Sequence, residues 1–204
     1  MKLSVTWIPE SGPAVRPPQA ATCVNGAPAI EVFFWRFETA GAKIEMTRRS
    51  AGILLFRRIH GSARVLLIHP GGPYWRRKDE GAWSIPKGLF DEGEEPLSAA
   101  KREFLEETGM TPQGVFIELG EFRQPSGKRL TVWALEGDFD LDSFKSNTFR
   151  MEWPPKSARF EDFPEADRAE WFDAGSAARK ITKGQRPILN ALLRLLGSKQ
   201  CSET

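Results

Sequence analysis

Cysteine is scarce in this sequence of 204 residues, and neither charge sign dominates. The two cysteines, Cys23 and Cys201, lie near opposite ends and outside any metal-binding spacing, so the sequence predicts neither a disulfide framework nor a zinc site. The formal net charge is only +2, which provides no general electrostatic reason to bind nucleic acid or a membrane surface. This composition fits a reducing cytoplasm, where we expect the protein to be located.

Long apolar runs are also missing. The most apolar early segment, residues 29–37, is short and is interrupted by Glu31 and Arg36, and nothing resembling a signal peptide follows Met1. We therefore expect a soluble protein without membrane segments. Because 40% of the residues are hydrophobic, the chain can form one domain with a substantial core.

Proline is concentrated near the amino terminus, where five of the 15 prolines fall within the first 28 residues. Residues 1–45 show no sustained strand or helix period and are predicted to form a poorly ordered extension, with residues 32–37 docking on the domain. In the alternative interpretation, Met46 is the true start. The domain is predicted to span residues 46–198, followed by a flexible tail at 199–204.

Short apolar or alternating segments predict strands before and after one central helix. The predicted strands cover residues 50–59, 63–69, 83–85, 114–122, 129–136 and 169–173. His60-Gly61-Ser62 predicts a hairpin turn between the first two strands, and two closing helices are predicted at 174–182 and 187–196. Residues 138–164 are predicted to be irregular, and such a long loop is usually functional or disordered. The element order favours an α/β fold with a mixed sheet covered by helices on both faces.

The segment from Gly88 to Met110 contains the most informative pattern in the chain. A helix is predicted from Pro96 to Thr108, since proline suits a first turn and the following Gly109 suits a helix end. At 3.6 residues per turn, one face of this helix presents three carboxylates, those of Glu103, Glu106 and Glu107. Like charges at this spacing repel by roughly a few tenths of a kcal/mol per pair, so the cluster indicates a divalent cation. A solvated acidic face is the alternative.

The same segment matches the pattern G-x5-E-x7-R-E-U-x-E-E-x-G-U, in which U is apolar, at every fixed position. The chain therefore resembles the Nudix hydrolases, and residues 88–110 are called the box below. In that family the box is a loop–helix–loop that holds metal ions for cleaving a nucleoside diphosphate linked to another group. The resemblance implies an αβα sandwich with a mixed β-sheet between helices.

The resemblance also implies roles for the box residues. The backbone carbonyl of Gly88 matches a metal ligand, Arg102 matches the arginine that orients the carboxylates, and Glu94 matches an outer glutamate with a structural or water-mediated role. The metal-binding glutamates of the family match Glu103, Glu106 and Glu107. Magnesium is the expected cation, with manganese as the alternative. For Arg102, a surface ion pair with Glu106 is the bland interpretation.

The general base in this superfamily is either a box glutamate or a residue on a distant loop. Glu165 is the candidate outside the box, because its position six residues before Trp171 resembles a downstream acidic residue of the diadenosine tetraphosphate hydrolases. A solvated loop carboxylate beside Asp162 and Asp167 is the alternative.

The residues that enter the box, Trp83 to Gly88, resemble the asymmetric diadenosine tetraphosphate hydrolases and relatives that act on nucleoside triphosphates. Lys87 is the candidate phosphate ligand at the mouth of the box. The candidates for a longer polyphosphate chain are Arg76, Arg77 and Lys78, and the candidates for stacking on adenine are Tyr74, Trp153 and Phe160. Solvation is the alternative for the basic residues, and core packing is the alternative for the aromatic ones. His69 could reach the site from a strand end, but a structural hydrogen-bonding role is favoured for it.

These features predict magnesium-dependent hydrolysis of a nucleoside diphosphate linkage, with a dinucleoside polyphosphate such as diadenosine tetraphosphate as the leading substrate. A house-cleaning hydrolase of nucleoside triphosphates, oxidised ones included, is the alternative enzyme. A nucleotide-binding sensor without turnover is the alternative of another class, and the complete box disfavours it. A decapping role on RNA 5′ ends is a further alternative; it would favour a basic groove, and the net charge of +2 gives it little support. A small nucleotide is the expected partner; no nucleic acid or membrane partner is expected, and the oligomeric state is open.

The long stretch at 138–164 departs from a minimal diadenosine tetraphosphate hydrolase. Its runs Asn147-Thr148-Phe149 and Met151 to Lys156 resemble an uncharacterised bacterial group of predicted nucleoside triphosphate pyrophosphohydrolases. This resemblance identifies a group of proteins but predicts no substrate.

Overall fold

The structure, a computed structural model, describes residues 49–200 and the side chains of residues 49–197. The extension predicted at 1–45, the candidate start at Met46 and the last four residues of the predicted tail lie outside the described residues. The final helix continues to Gln200, two residues beyond the predicted end of the domain at 198.

Residues 49–200 form eight β-strands and three α-helices. The strands are β1 (Arg49–Ile59), β2 (Ser62–Pro70), β3 (Lys87–Leu89), β4 (Phe116–Arg123), β5 (Arg129–Glu136), β6 (Thr148–Glu152), β7 (Phe160–Pro164) and β8 (Ala166–Asp173). The helices are α1 (Pro96–Thr108), α2 (Ala174–Lys180) and α3 (Arg186–Gln200), and short 3-10 helices lie at Leu141–Ser143 and Lys183–Gln185. No helix within this part of the chain has the length and apolar character needed to cross a membrane.

Six strands form one mixed sheet in the order β4-β5-β1-β2-β8, with β3 paired to β1. The pairing of β1 with β5 is parallel, whereas β2, β3, β4 and β8 pair with their neighbours in antiparallel fashion. The predicted turn between β1 and β2 is present, since His60 and Gly61 have φ angles of 50° and 78°. Positive φ at both positions matches the turn type that suits the twist of a two-residue hairpin.

Helices cover both faces of the sheet. On one face, α1 buries Ala99, Ala100 and Phe104 against β-strand residues such as Ile53 and Leu135. On the other face, side chains of α2 and α3 pack against a second set of strand residues; among the buried members of this cluster are Leu54, Leu67, Val132, Ala177, Ile188 and Leu192. Alternate residues of β1 point to opposite faces, as strand geometry requires. The predicted αβα sandwich with a mixed sheet is therefore confirmed.

The segment that enters the box lies along one side of β1. Its end, β3, pairs with the first half of β1, in the register Ala51 to Gly88 and Gly52 to Lys87. A Cβ atom at Gly52 would lie 2.6 Å from the Cβ atom of Lys87, so only glycine permits this close approach. The strand predicted at 83–85 is wrong, because Trp83 and Ser84 form only isolated bridges, to Ile181 and Ile68 respectively.

The prediction of an irregular stretch at 138–164 is also wrong. Its second half forms an antiparallel hairpin in which β6 pairs with β7, in a register that places Phe149 opposite Phe163. The backbone N–H groups of Trp153 and Ala158 close the tip by donating to the Arg159 carbonyl and the Glu152 carboxylate, at 2.8 and 2.7 Å. Both strands are only five residues long and mostly exposed. Phe149 and Met151 alternate with polar residues in β6, but β7 does not alternate, so the pair gives a weak strand signal.

Candidate active site

Helix α1 has both ends capped, which fixes its register against the preceding loop. The carboxylate of Glu95 accepts hydrogen bonds from the backbone N–H groups of Leu97 and Ser98, at 3.0 and 2.6 Å. Gly109 ends the helix with a φ angle of 79°, and its N–H donates to the carbonyl of Leu105 at 2.8 Å. With Ala99, Ala100 and Phe104 buried against the sheet, Glu103 and Glu107 on the adjoining side of the helix meet β3.

Gly88 and Glu103 lie in direct contact. A Cβ atom at position 88 would fall 1.9 Å from one carboxylate oxygen of Glu103, so no larger residue fits there without displacing that carboxylate. The backbone of Gly88 and the side chain of Glu103 are therefore close enough to contact the same bound ion, as the resemblance implies.

The Arg102 guanidinium lies at the centre of a carboxylate cluster. Its Nη1 group donates to Glu103 at 2.8 Å and to Glu106 at 3.2 Å. Its Nε and Nη2 groups donate to the two carboxylate oxygens of Glu94 at 3.2 and 3.3 Å, and Nη2 also donates to the Leu89 carbonyl at 3.2 Å. These hydrogen bonds, led by those with Glu94, raise the pKa of the Arg102 guanidinium. Arg102 therefore binds three glutamates and a backbone carbonyl, rather than forming only a surface ion pair with Glu106.

Glu107 is joined to the residue that precedes Gly88. Its Oε2 atom accepts a hydrogen bond of 2.7 Å from the backbone N–H of Lys87. Burial raises the pKa of Glu107 to about 7, although the nearby positive charge of Lys87 acts in the opposite direction. Burial also raises the pKa of Glu103. Both carboxylates thus lie where a bound cation would stabilise their charged form.

Glu165 lies at the same site, although 58 residues separate it from Glu107 in the sequence. The Asn147 N–H donates to the carbonyl of Glu106 at 2.9 Å, and the Glu165 N–H donates to the carbonyl of Asn147 at 2.8 Å. Burial and the negative charge of Glu106 raise the pKa of Glu165, in that order of size. The side chain predicted as the outside base therefore lies within electrostatic reach of the box.

Three residues that support Glu165 were not predicted to take part in the site. The Gly71 N–H donates to the Glu165 carbonyl at 2.9 Å, and the Ser146 hydroxyl oxygen accepts a hydrogen bond of 3.0 Å from the N–H of Ala166. Asn147 lies in the run that resembles the bacterial group, but its contacts here are made by the backbone. Backbone hydrogen bonds between distant segments leave no signal in residue types or spacing.

The oxygen ligands at the site suit a hard divalent cation, since carboxylates and a backbone carbonyl are the groups that magnesium prefers. No three His, Cys, Asp or Glu side chains between residues 49 and 197 converge to form a ready-made metal centre. The box carboxylates have other partners, because Arg102 donates to Glu103 and Glu106 while Glu107 accepts a hydrogen bond from the Lys87 N–H. These oxygen ligands suit a cation, and in this arrangement the Arg102 guanidinium partly neutralises their negative charge.

Apart from Lys87, the predicted substrate-binding residues lie on two segments outside the box. Tyr74, from the loop after β2, contacts Trp153 at the tip of the hairpin edge to face, with ring centroids 5.2 Å apart and planes at 85°. Lys78 lies over the ring of Trp75 at 4.3 Å. The remaining basic candidates, Arg76 and Arg77, are exposed on the same loop.

His69 is fully buried and has a structural position. Its Nδ1 atom lies 2.7 Å from Oδ1 of Asp167, and its Nε2 atom lies 2.7 Å from the carbonyl oxygen of Lys78. Both ring nitrogens are therefore occupied, and the imidazole connects the basic loop to β8. This geometry agrees with the structural interpretation of His69 rather than with a place among the reacting groups.

A family model described as a NUDIX domain matches residues 46–192, which is most of the chain. The chain belongs to the Nudix family. Its complete box and αβα sandwich are those expected of a member, and the resemblance inferred from residues 88–110 is confirmed.

Curated relatives extend the comparison over different lengths. The chain is 30% identical to the RNA pyrophosphohydrolase of Agrobacterium fabrum over 124 residues, which cover 55% of this chain and 72% of that protein. It is 32% identical to the 8-oxo-(d)GTP phosphatase of Mycolicibacterium smegmatis over 160 residues, which cover 72% of this chain and 44% of that protein. For three other curated relatives, the match spans only 36%, 21% and 55% of their length.

Among solved structures, a binary complex of a Caenorhabditis elegans Ap4A hydrolase superposes with a TM-score of 0.54 at 21% identity. The superposition covers 74% of this chain and 98% of that one. At this level of identity the likeness supports the fold.

Proposed function

We propose that this Nudix chain hydrolyses a nucleoside diphosphate linkage with the help of a divalent cation, and that magnesium is the cation. The main support is the convergence of box and loop residues on one side of α1. The groups that meet there are the Gly88 backbone, Lys87, Arg102, Glu103, Glu106, Glu107 and Glu165. Nudix hydrolases generally use a divalent metal, and the donor set here suits one.

In this proposal the glutamates of α1 and the Gly88 carbonyl hold the cation. The cation would neutralise charge on phosphate oxygens and lower the pKa of an attacking water. Arg102 holds Glu103 and Glu106 close to each other through its hydrogen bonds, and these carboxylates would turn from the guanidinium towards the cation when it binds. Lys87 supplies a positive charge at the mouth of the box, where a substrate phosphate would enter.

Glu165 is the proposed general base. It comes from outside the Arg102 cluster, and burial together with the negative charge of Glu106 raises its pKa, which makes it a better proton acceptor. Glu107 is the competing candidate, since burial raises its pKa to about 7. Its hydrogen bond from the Lys87 N–H directs one oxygen towards the backbone, which suits a cation ligand better than a base.

The proposed substrate is a dinucleoside polyphosphate such as diadenosine tetraphosphate. The exposed basic run Arg76 to Lys78 and Lys87 provide positive charge for several phosphates beyond the one attacked. The aromatic pair Tyr74 and Trp153 lies beside this run and offers a surface for a base. The expected order of kcat/KM is diadenosine tetraphosphate above ATP and ATP above ADP-ribose.

Two other substrates are favoured by relatives and form the second candidate function. The 8-oxo-(d)GTP phosphatase of M. smegmatis matches 72% of this chain, which supports an oxidised nucleoside triphosphate. The RNA pyrophosphohydrolase of A. fabrum is matched over 72% of its length, which supports a 5′-phosphorylated RNA end. Either substrate would use the same box, since each contains a phosphoanhydride attached to a nucleoside.

The experiment that separates these substrates is a panel assay with magnesium, followed by chromatography. The panel contains diadenosine tetraphosphate, ATP, 8-oxo-dGTP, ADP-ribose and a short 5′-triphosphate RNA. We expect diadenosine tetraphosphate to be cleaved fastest, into ATP and AMP, because Lys87 and the cation that the α1 glutamates would hold would act on a phosphate near one end of the chain. Two equal ADP products, or preference for 8-oxo-dGTP or RNA, would refute the substrate assignment and leave the hydrolase assignment intact.

A further inference from the structure

The buried imidazole of His69 lies between two hydrogen-bond acceptors. Its Nδ1 atom is 2.7 Å from Oδ1 of Asp167, and its Nε2 atom is 2.7 Å from the Lys78 carbonyl oxygen. A carbonyl oxygen only accepts, and so does an ionised carboxylate, so each ring nitrogen has to donate a proton to its partner. A ring with an N–H group at both nitrogens is the imidazolium cation. The contacts therefore favour the charged form of His69.

A neutral His69 would require a proton on Asp167. A neutral ring that donates to the Lys78 carbonyl turns a lone pair towards Asp167, and only a protonated carboxyl group could donate to it. Carboxylic acids normally lose their proton well below the pH at which imidazolium does. The Arg168 guanidinium also donates to the same Asp167 oxygen, at 3.4 Å, which suits a carboxylate. The proton between the two residues therefore belongs on the ring.

Charged groups around this ring come from β8, from the segment after the basic run and from α2. They are Asp167, Arg168, Asp79 and Lys180. The last three surround the ring of Trp83, which meets the imidazole edge to face with centroids 5.2 Å apart. Because Lys180 pairs with Asp79, the charge of Asp79 is already balanced. Asp167 is therefore the counter-ion of the His69 imidazolium.

The contact with Lys78 ties the far end of a basic loop back to its start. The loop follows β2, which ends at Pro70, and it carries the exposed basic run Arg76 to Lys78. His69 lies in β2, so its hydrogen bond to the Lys78 carbonyl joins the last residue of the run to the strand from which the loop leaves. The position of the run is thus fixed at its base.

The contact with Asp167 reaches the segment of the proposed base. Asp167 lies in β8, two residues after Glu165, and the Gly71 N–H donates to the Glu165 carbonyl at 2.9 Å. Through its two nitrogens, His69 therefore connects the basic run to the strand that follows Glu165. One buried side chain fixes the distance between the positive charges and the base.

We propose that His69 is a positioning residue whose imidazolium fixes the basic run Arg76 to Lys78 relative to Glu165. The inference rests on the proposed function, in which this run neutralises phosphates beyond the one attacked. His69 acts through Lys78 and Asp167 and not by contact with the substrate. A side chain that cannot donate to both acceptors leaves one of them unpaired and loosens the run. Substrates with long phosphate chains then bind less tightly, while the attacked linkage is cleaved at nearly the same rate.

Nitrogen-15 NMR of the imidazole rings tests the charge without any substrate. The chain contains two histidines, so His60→Asn leaves the signals of His69 alone. His60 is exposed in a turn at a positive φ angle, which asparagine tolerates. In the full chain with magnesium, at about pH 7.5, we expect His69 to show two protonated nitrogens with similar chemical shifts, although an exposed imidazole is mostly neutral there. The widely separated shifts of a neutral ring would overturn the proposal.

Two substitutions of Asp167 test the partner by the same spectra. Asp167→Asn supplies an amide N–H that can donate to Nδ1, so His69 should become neutral while its Nε2–H group stays bonded to the Lys78 carbonyl. Asp167→Ala leaves Nδ1 without this partner, so the ring should lose its fixed orientation. An unchanged imidazolium spectrum in Asp167→Asn would show that Asp167 is not the counter-ion and would refute the assignment.

Steady-state kinetics test the positioning role. His69→Gln has a single amide nitrogen that cannot serve both acceptors, so we expect its KM for diadenosine tetraphosphate to rise about 10-fold. Asp167→Ala should raise this KM as well, and the conservative Asp167→Asn should raise it less. Because Glu165 keeps its hydrogen bond from Gly71, kcat should change less than about 3-fold in each variant.

ADP-ribose is the matched substrate, since its two phosphates extend less far towards the basic run. Its KM should change less than about 3-fold in the same variants. His60→Asn replaces the other histidine and should leave both KM values unchanged, while circular dichroism checks the fold. An equal rise in KM for both substrates, or a loss confined to kcat, would refute the positioning role. If His69→Gln does not fold, the two variants of the partly exposed Asp167 decide the outcome.

A binding measurement separates this inference from the proposed function. If the wild-type protein cleaves neither compound, the proposed substrate fails, and calorimetry with magnesium then compares the affinities for diadenosine tetraphosphate and ADP-ribose. A loss of affinity in His69→Gln and Asp167→Ala that is confined to the longer phosphate chain, together with an imidazolium spectrum, supports the positioning role. Equal changes for the two compounds, or a neutral ring, refute it.

Discussion

Arg102 shows how one side chain can organise a set of like charges. The planar guanidinium has donors on three sides, and it reaches Glu94, Glu103 and Glu106 together with the Leu89 carbonyl. A lysine ammonium cannot match this fork of donors, even though it provides the same charge. The position therefore requires arginine for its geometry, and the repulsion expected among the glutamates is largely offset.

Removing a ligand charge from the box should abolish most of the activity. Glu106→Gln and Glu107→Gln nearly preserve volume but weaken cation binding, so we expect kcat/KM to fall at least about 100-fold. Steady-state kinetics with a magnesium titration measure the loss, and circular dichroism checks the fold. Glu92→Gln is the matched control, since Glu92 is exposed and occupies a variable position of the box. Near-wild-type turnover in both variants would show that the reaction occurs elsewhere.

The raised pKa of Glu107 predicts a pH-dependent stability of the metal-free protein. Its pKa is about 7 in the folded state and near its ordinary value of 4.5 in the unfolded chain, so the folded state binds more protons between these pH values. Folding stability from this group is present below about pH 4.5 and is lost as the pH rises towards 7. The loss amounts to at most about 3 kcal/mol.

Urea unfolding with EDTA at pH 5 and pH 8 measures this effect. Glu107→Gln removes the titrating carboxyl group. The free energy of unfolding of this variant should therefore increase relative to that of the wild-type protein as the pH rises. The difference between variant and wild type removes the contribution of other titrating groups. Glu92→Gln should follow the wild-type protein at both pH values, and a difference for Glu107→Gln that does not change with pH would contradict the assignment.

At the level of elements, the hairpin and the box helix are joined by backbone hydrogen bonds. Asn147 links the end of α1 to the segment before β8, and Gly71 links that segment to the end of β2. Glu165 is thereby held by three neighbouring segments, although its own side chain lies on a short connection between β7 and β8. A base held by backbone contacts from several elements is better oriented than one on a free loop.

Gly71→Ala should misplace Glu165. The added methyl group would meet the Pro164 carbonyl oxygen at 1.9 Å, and backbone on both sides has to move. Because a shift of about 1 Å in a reacting group costs on the order of 100-fold, we expect kcat to fall 10- to 100-fold with little change in KM. The pH profile of kcat should then resemble that of Glu165→Gln.

The control for this prediction is Gly197→Ala on α3, where an added Cβ atom would meet nothing within 4 Å. Its kinetics should match those of the wild-type protein. If Gly71→Ala retained wild-type kcat, or if Glu165→Gln were fully active, the base assignment would pass to a box glutamate.

At the level of the whole molecule, every strand predicted from the sequence and the complete box lie after residue 46. We therefore predict that a chain beginning at Met46 keeps its fold and its activity, because the proline-rich sequence before it has little apolar surface to bury. Thermal unfolding and kcat/KM of the shortened and full chains provide the comparison. An insoluble or inactive short chain would show that residues 32–37 belong to the core.

The box was predictable from sequence because its chemistry depends on spacing along one helix. Gly88, Arg102 and the three glutamates of α1 have a fixed relation to each other once the helix forms, and the bounds of α1 agree with those predicted from Pro96 and Gly109. The mixed sheet was predictable for the same reason, from short apolar segments and the turn residues between them. These features are set by local geometry, which residue order determines directly.

The arrangement around the box required the tertiary structure. The sequence contains Glu165, Asn147 and Gly71 as isolated residues, and only the packing of the hairpin against the loop after β2 brings them to Glu106. The stretch predicted as irregular also contains β6 and β7, because five mostly exposed residues per strand are too few for a clear alternating signal. Residue order therefore determined the box helix α1. The positions of Glu165 and of the β6–β7 hairpin were decided by backbone hydrogen bonds and close glycine contacts between distant segments, which have no signature in composition or period.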